Sequence, residues 1–242
     1  MSSFDIQDPD PEKGPALKPS ERLSTMLSRA GYQTVVRRYT PHQHLYFDKD
    51  PRTGVYEVLS GTVIQYVLLS DARRRIEAFS RPGHLLAFGV AELHEEHAEA
   101  LTDARVSLIP RAVFDAALCD VPHFRDAVFR RIEQMLVEAR AQTALAGWKT
   151  ARQSTASFLL FLEARFRDPV TGIVRIPMTR RDIADYLGLT LETVSRMIGH
   201  LKRAGAIDLL SPAKFTVLDR DMLVAEAGNG MPDSYWRKRV GG

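Results

Sequence analysis

Thirty residues, from Met178 to Ile207, constrain the fold of this chain more than any other stretch of its sequence. Apolar residues recur at helical spacing in two runs, and they are Ile183, Ala184 and Leu187, then Val194, Ile198 and Leu201. Gly188 between the runs is typical of the left-handed residue that ends a helix. Thr179 and Thr190 precede the two runs, where each serves as an N-cap. The segment therefore predicts two helices joined by a tight turn, a helix-turn-helix.

The exposed face of the second helix carries Glu192, Ser195 and Arg196. In a helix-turn-helix the second helix enters the major groove, where Arg can bind guanine O6 and N7 and Glu can accept from cytosine N4. Glu192 and Arg196 are also four residues apart, the spacing of an ordinary exposed ion pair. Strand patterns at Ile173–Pro177 and Lys214–Leu218 flank the segment, as the strands of a wing would. This context favours a winged helix-turn-helix that binds DNA.

Phosphate binding is expected from the surroundings of that helix. Residues 147–242 hold 15 Lys and Arg against 10 Asp and Glu, whereas residues 1–146 hold 18 against 20. The basic excess therefore lies with the helix-turn-helix, as binding to phosphates requires. The side chains expected to contact DNA outside the base edges are Thr179, Arg180, Thr190, Leu191, Thr193, His200, Lys202 and Arg203.

The segment resembles the DNA-binding domain of Crp/Fnr-type bacterial transcription regulators. It is most similar to the Fnr and FixK branch, whose second helix carries Glu, two further residues, Ser and Arg; here these are Glu192, Ser195 and Arg196. Leu191 stands where the cyclic-AMP branch usually has Arg. The resemblance implies a homodimer on a palindromic promoter site with TTGA-type half-sites, with RNA polymerase as a further partner.

The N-terminal half shows short alternating segments separated by turn residues, a pattern typical of a small β-barrel or roll. The strand candidates are Gln33–Tyr39, His44–Phe47, Val55–Leu59, Thr62–Leu69, Arg74–Phe79 and Arg105–Ile109. Turns at Ser60–Gly61 and Pro82–Gly83 resemble those of the family's cyclic-nucleotide-binding-type β-roll. A short helix is predicted before the strands, over Ser20–Ala30.

The fold class predicted for the whole chain is α+β, with a β-roll, a long dimerisation helix and a winged helix-turn-helix. The predicted divisions are a disordered tail at 1–18, the β-roll at 19–120, the dimerisation helix at 121–147, the winged helix-turn-helix at 148–227 and a C-terminal tail at 228–242.

The predicted long helix starts near Pro122 and has an apolar stripe of nearly heptad spacing. The residues expected at a dimer interface are Phe124, Val128, Ile132, Met135, Leu136 and Ala139. The alternative is that the stripe packs on the β-roll of its own chain.

The β-roll lacks the residues that would bind a cyclic nucleotide. Ala87–Phe88 stands where family members that bind cyclic AMP carry Gly-Glu, and His94–Glu95 stands near the place of their Arg-Ser or Arg-Thr. Four nearby acids would repel a phosphate, and they are Glu92, Glu95, Glu96 and Glu99. No cyclic nucleotide is therefore expected.

Other cofactors are judged by whether the chain has the residues that would bind them. An iron–sulfur cluster takes four cysteines, and Cys119 is the sole cysteine of the chain. Cys119 is an inert thiol or a redox-sensing one. His84, His94 and His97 leave open a regulator that senses a gas or redox change through haem or another ligand, with His94 and His97 on one helical face. The expectation is no metal and no cofactor.

An enzyme is not expected, because the pair Cys119 and His123 has no third orienting residue. The first nineteen residues have no apolar run of a signal peptide, and a lone cysteine suits a reducing compartment. The predicted location is the cytoplasm.

Overall fold

The computed structural model of the chain describes residues 21–89, 91–147 and 149–228. The predicted N-terminal tail, and all but the first residue of the C-terminal one, lie outside these ranges. The helices are α1 (Leu23–Arg29), α2 (Arg111–Asp120), α3 (Pro122–Gly147), α4 (Ala151–Phe166), α5 (Arg180–Leu187), α6 (Leu191–Arg203) and α7 (Arg220–Ala227). The strands are β1 (Val35–Tyr39), β2 (His44–Tyr46), β3 (Gly54–Ser60), β4 (Val63–Leu68), β5 (Arg74–Ser80), β6 (Leu85–Leu86), β7 (His97–Ala100), β8 (Ala104–Pro110), β9 (Val174–Arg175), β10 (Ile207–Ser211) and β11 (Lys214–Val217).

The N-terminal domain is a β-roll of two antiparallel four-stranded sheets. One sheet has the order β1-β8-β3-β6, and the other has the order β2-β7-β4-β5. Alternate side chains from both sheets fill one core, which includes Tyr46, Val58, Val63, Ala98 and Val106. The prediction of an α+β chain with a β-roll is confirmed. The short strands β6 and β7 carry too little alternation to be found from the sequence.

Helix α1 is fixed to the roll by a buried acid from β3. Ser20, the first residue of the predicted helix, lies outside the described residues. The carboxylate of Glu57 accepts hydrogen bonds from the backbone N–H of Leu23 at 2.8 Å and of Ser24 at 2.9 Å. Glu57 is fully buried, and Arg131 of α3 neutralises it at 3.0 Å. One buried ion pair therefore ties α1, β3 and α3 together.

Helix α3 presents two apolar faces, and the structure corrects the residues predicted for its dimer interface. Phe124 and Val128 are 0% and 2% exposed within the single chain. They pack in the same core as Leu23, Ile109 and Phe114. Because their side chains are already covered by their own roll, they cannot form a contact with a second copy. The first half of α3 thus follows the alternative left open by the sequence.

The other apolar face of α3 is exposed. Phe129 is 61% exposed, Leu136 is 49% exposed and Ala139 is exposed as well. Ile132 and Met135 lie between the two faces, half-buried against the core of their own chain. Phe129 was missed by the sequence analysis, because one periodic stripe was followed where the helix has two.

The C-terminal domain is a winged helix-turn-helix. Strands β10 and β11 form an antiparallel hairpin, and β9 pairs with the outer edge of β11. The threonine caps are confirmed, since Thr179 accepts from the Asp182 N–H at 3.1 Å and Thr190 accepts from the Thr193 N–H at 3.2 Å. Gly188 ends α5 at φ +67°, the left-handed conformation that the sequence predicted.

One continuous core joins the β-roll to the helix-turn-helix domain. Ile76 and Phe79 of β5 belong to the same buried cluster as Phe158 of α4 and Tyr186 of α5. The phenylalanine rings are 6.0 Å apart, and Phe79 lies 4.9 Å from the ring of Tyr186. No helix in the described parts of the chain combines the length and apolar character that crossing a membrane requires.

Candidate nucleic-acid interface

Helix α6 is amphipathic, with its apolar face buried and its polar face exposed to solvent. Val194, Ile198 and Leu201 are 0%, 2% and 0% exposed and anchor the helix to the domain core. Three side chains on the opposite side are exposed, and they are Glu192, Ser195 and Arg196. The structure therefore brings all three predicted base contacts to one accessible face.

The charges on that face are available to a ligand. Within the described residues, no ion pair joins Glu192 to Arg196, so the alternative of a simple helix ion pair is not what the structure shows. The pKa of Glu192 is lowered by the backbone N–H of its own residue and by the Thr190 hydroxyl. Glu192 is thus held ionised at the first turn of α6, where a carboxylate also meets the positive end of the helix dipole.

Arg180, at the start of α5, is a desolvated cation. It is half-buried, and its Nη1 has no hydrogen-bond partner in the described structure. Burial lowers the pKa of Arg180. A buried donor without a partner is costly, and a phosphate oxygen would supply the missing acceptor in a charge-assisted hydrogen bond.

The other predicted contacts divide into two groups. Leu191 and Arg203 are exposed beside the base-contacting face. Several others already have intramolecular partners: the Thr179 hydroxyl donates to Asp182 at 2.7 Å, and Lys202 pairs with Asp208 of β10 at 3.2 Å. His200 faces α7, with Nε2 3.9 Å from a Glu226 carboxylate oxygen. The Thr190 hydroxyl likewise donates to that of Thr193 at 3.0 Å.

The wing offers two cations that the sequence analysis did not select. Lys214 of β11 lies directly opposite Arg175 of β9, and both are exposed. Like charges opposite each other in a sheet repel, and an anion bound between them relieves the repulsion. The signal in the sequence was a basic residue in each of the two strands predicted to flank the helix-turn-helix.

A small open cavity of about 310 Å³ lies between the β-roll and α3, and its lining includes Arg52, Gln65, Glu95, Glu96 and Met135. Glu96 accepts hydrogen bonds from the Tyr46 hydroxyl at 3.0 Å and the Gln65 amide at 2.5 Å. Burial raises the pKa of Glu96, against the opposing effect of these two donors. Glu96 is therefore engaged with the roll itself.

The segment around His94 differs from its predicted form. His94 is 2% exposed and stacks on Tyr46 with ring centroids 3.7 Å apart, while His97 begins strand β7 and stacks on Tyr66 at 4.9 Å. The expectation of an exposed helical face shared by His94 and His97 is wrong. Their aromatic neighbours on other strands, far away in sequence, decide their placement.

Cys119 is exposed near the end of α2. The next residue, Asp120, accepts a hydrogen bond from the Tyr32 hydroxyl at 2.9 Å. His123 is exposed at the start of α3.

The β-roll shares its core with a winged helix-turn-helix, whose helix α6 presents Glu192, Ser195 and Arg196 outward. This arrangement is that of a DNA-binding regulator of two domains. Comparison with known families agrees with this class. Residues 153–226 match the Crp-like helix-turn-helix domain, and residues 36–119 match the cyclic nucleotide-binding domain.

Individual relatives place the chain more closely. It is 34% identical over 215 residues to the nitrogen fixation regulation protein FixK of Azorhizobium caulinodans, covering 87% of this chain and 85% of that protein. It is 30% identical over 190 residues to the fumarate and nitrate reduction regulatory protein of Vibrio cholerae, covering 77% and 76%. The solved structure of FixK2 from Bradyrhizobium japonicum superposes with a TM-score of 0.75 at 33% identity, covering 82% of this chain and 99% of that one.

The chain belongs to the Crp/Fnr family of bacterial transcription regulators, in its FixK-like branch. It is a helix-turn-helix transcription regulator of that type.

Proposed function

We propose that this regulator binds a palindrome of TTGA-type half-sites as a homodimer, without a cyclic nucleotide, an iron–sulfur cluster or another cofactor. It acts with RNA polymerase at promoters, in the cytoplasm where the chromosome lies, and it is not an enzyme. The observation that carries the proposal is the exposed trio Glu192, Ser195 and Arg196 on one face of α6.

The chemistry of the trio suits a short mixed half-site. Arg196 can donate two parallel hydrogen bonds to guanine O6 and N7, and Glu192 can accept from cytosine N4. The Ser195 hydroxyl can both donate and accept, so it tolerates several base edges. Arg180 and the wing cations Lys214 and Arg175 would then contact phosphates, which fix the register without contributing sequence preference.

The exposed face of α3 supports a dimer. Phe129, Ile132, Leu136 and Ala139 follow one another at alternating steps of three and four residues, and Phe129 and Leu136 are largely exposed. This spacing is the seam of a coiled coil, in which a second copy covers the apolar side chains. A two-fold dimer matches a palindrome, with half-site centres about one helical turn, or roughly 34 Å, apart.

The β-roll cavity supports binding without a ligand. Three acids line it, Glu77, Glu95 and Glu96, against one cation, Arg52, so their net charge disfavours a phosphate. Glu96 is already bonded to Tyr46 and Gln65. A ligand shifts an equilibrium between two conformations only through different affinities for them. A phosphate-bearing ligand finds no such advantage in this cavity.

Anisotropy titrations with three labelled duplexes test the proposal. The first duplex carries two TTGA half-sites, the second carries one, and the third carries scrambled half-sites. All three are titrated at the same salt concentration. The two-half-site duplex should bind more tightly than the scrambled one by about 10³-fold or more. The single half-site should fall between them, because half of the dimer's contacts are lost. Equal affinity for all three duplexes would exclude the proposed function.

A further inference from the structure

The hairpin of β4 and β5 in the β-roll holds the helix-turn-helix through one arginine. Arg74, at the start of β5, forms ion pairs with two carboxylates of α5, those of Asp182 and Asp185. Its Nη2 lies 3.1 Å and its Nε 3.2 Å from the same Asp185 oxygen, and Nη2 also donates to Asp182. The guanidinium lies 5.4 Å from the centre of the Tyr66 ring. The two ion pairs join residues more than a hundred positions apart.

Asp182 transmits this contact to the helix. One of its oxygens receives Arg74, while the other accepts from the Thr179 backbone N–H at 2.8 Å and the Thr179 hydroxyl at 2.7 Å. Asp182 is 5% exposed, so it cannot turn to water to satisfy its charge. The side chain that completes the capping box of α5 is therefore the one that Arg74 fixes to the β-roll.

An aromatic contact lies behind the ion pairs. Tyr186 of α5 packs between Phe79 of β5 and Phe158 of α4, with ring centroids 4.9 Å and 5.4 Å away. On the outer side, a cleft of about 1340 Å³ separates the hairpin from the turn of the helix-turn-helix and from Ala139 and Gln142 of α3. Among the ion pairs of the described residues, those between the hairpin and α5 are formed by Arg74.

The path from the dimer seam to α6 runs through these contacts. Helix α3 is bound to the roll through Arg131 and Glu57, and α5 packs against α6 within the shared core. A second link runs through α4, where Glu138 of α3 pairs with Arg165 at 3.1 Å and α4 also packs against α6. The orientation of α6 relative to the dimer seam therefore depends on both links, and Arg74 belongs to the one in which α5 sits on β5.

We propose that Arg74 is a positioning residue for DNA binding, which clamps α5 to the β-roll and thereby fixes the distance between half-sites that the dimer accepts. The inference rests on the proposed function. A regulator that binds DNA without a ligand must hold its two recognition helices at the right spacing beforehand. The clamp supplies that spacing from the chain itself, and a guanidinium suits it because its planar fork engages two carboxylates in fixed geometry.

The test measures affinity for TTGA palindromes whose central spacer is shortened or lengthened by one and by two base pairs. Each added base pair moves a half-site by about 3.4 Å and turns it by roughly 35°. The full-length wild type should prefer one spacer by roughly 100-fold, because a wrong spacer prevents both helices from binding at once. Arg74→Ala should narrow that preference to less than about threefold, mainly through weaker binding to the preferred spacer.

Arg73→Ala is the matched control. It removes the same charge from the same hairpin, yet Arg73 is 77% exposed and pairs with Asp71 of that hairpin. It should keep the wild-type spacer preference. Binding of each variant to a single half-site, together with its thermal unfolding, reports whether the helix-turn-helix is intact.

Two further variants keep the test decisive if Arg74→Ala unfolds. Asp185→Asn weakens the outer contact and leaves the Asp182 cap in place, so it should reduce the spacer preference only partly. Arg74→Lys keeps the charge but loses the fork, and should also fall between wild type and Arg74→Ala.

The outcomes separate the inference from the proposed function. The clamp would be overturned if Asp185→Asn and a folded Arg74→Ala both kept the sharp spacer preference of the wild type. The proposed function would not be affected by that result. An equal loss at every spacer would overturn the clamp too, since that marks a merely structural arginine. A wild type that binds no TTGA duplex would remove the proposed function itself and the inference with it.

Discussion

Helices α6 and α3 are both amphipathic, and both were predicted from apolar periodicity, yet only α6 was predicted residue by residue. Its buried residues Val194, Ile198 and Leu201 pack within the domain that surrounds them. Helix α3 has one face on its own roll, at Phe124 and Val128, and a second exposed face at Phe129 and Leu136. Periodicity indicates that a face is covered, but it does not identify what covers it.

Alanine substitutions on the two faces of α3 should differ most in their effect on the free energy of unfolding. Phe124→Ala should lower the free energy of unfolding by about 3–5 kcal/mol, because a fully buried aromatic ring is replaced by a cavity. Phe129→Ala, on the exposed face, should leave the stability of a single protomer nearly unchanged. Chemical denaturation at a low protein concentration measures both. Similar losses for the two variants would show that the faces are not distinct.

Acid should next lower the free energy of unfolding of the β-roll, in which two histidines are buried. Burial lowers the pKa of His84 to about 4, against the opposing charge of Glu138 on α3, and burial with nearby Arg52 lowers that of His94 to about 4. Both histidines are neutral in the folded protein but titrate near 6.5 when unfolded. Stability is therefore complete above pH 6.5 and falls between pH 6.5 and 4, by up to about 3 kcal/mol for each histidine.

Denaturation midpoints from pH 7 to pH 4 measure that loss, with His84→Asn and His94→Asn as comparisons. Each variant should show a flatter pH profile than the wild type across this range. Profiles parallel to the wild type would contradict the assignment of buried neutral histidines.

Dimerisation through the exposed face of α3 is tested by introducing a charge at a position outside the core. Leu136→Glu should shift the protein from dimer to monomer and weaken binding to the palindrome by roughly 100-fold, as the second half-site is no longer held. Ile132 is less suitable for this test, since it also packs against its own core. Glu133→Gln, at another exposed position of α3, is the control. Light scattering that finds an unchanged dimer in Leu136→Glu would place the interface elsewhere.

On α6, the expected effect is smaller and confined to sequence preference. Arg196→Ala should cost about 1–3 kcal/mol on the TTGA palindrome and relax the preference at the guanine. Arg203→Ala, at an exposed position of the same helix, should weaken specific and random DNA alike. Competition titrations with both kinds of DNA distinguish these results. An equal loss on both for Arg196→Ala would remove it from the base contacts.

The parts of the fold that could be predicted are those set by local chemistry. The cap at Thr179, the left-handed Gly188 and the cap at Thr190 lie within twelve residues, and each follows from its own residue type. The capping of α1 by Glu57 and the stacking of His94 on Tyr46 could not be predicted in this way. They join residues more than thirty positions apart, and no local pattern pairs them.

The candidate site divides along the same line. Glu192, Ser195 and Arg196 were found because one helix carries all of them. The pairing of Lys214 with Arg175 across the wing, and of Arg74 with Asp182 and Asp185 across the domains, needed the folded chain. Local sequence patterns therefore did not predict the contacts between domains, although these contacts help to hold α6 in place.

The proposed dimer binds its palindrome with nothing added. Purified protein whose intact mass equals that of the polypeptide alone should be titrated with TTGA-palindrome DNA in air at fixed salt. The same titration should be repeated with cyclic AMP, with haem and with a reductant. We expect a dissociation constant of about 10⁻⁸ M or lower in the first titration, and the additions should leave it unchanged. Tight binding that appears only after one of these additions would contradict this expectation.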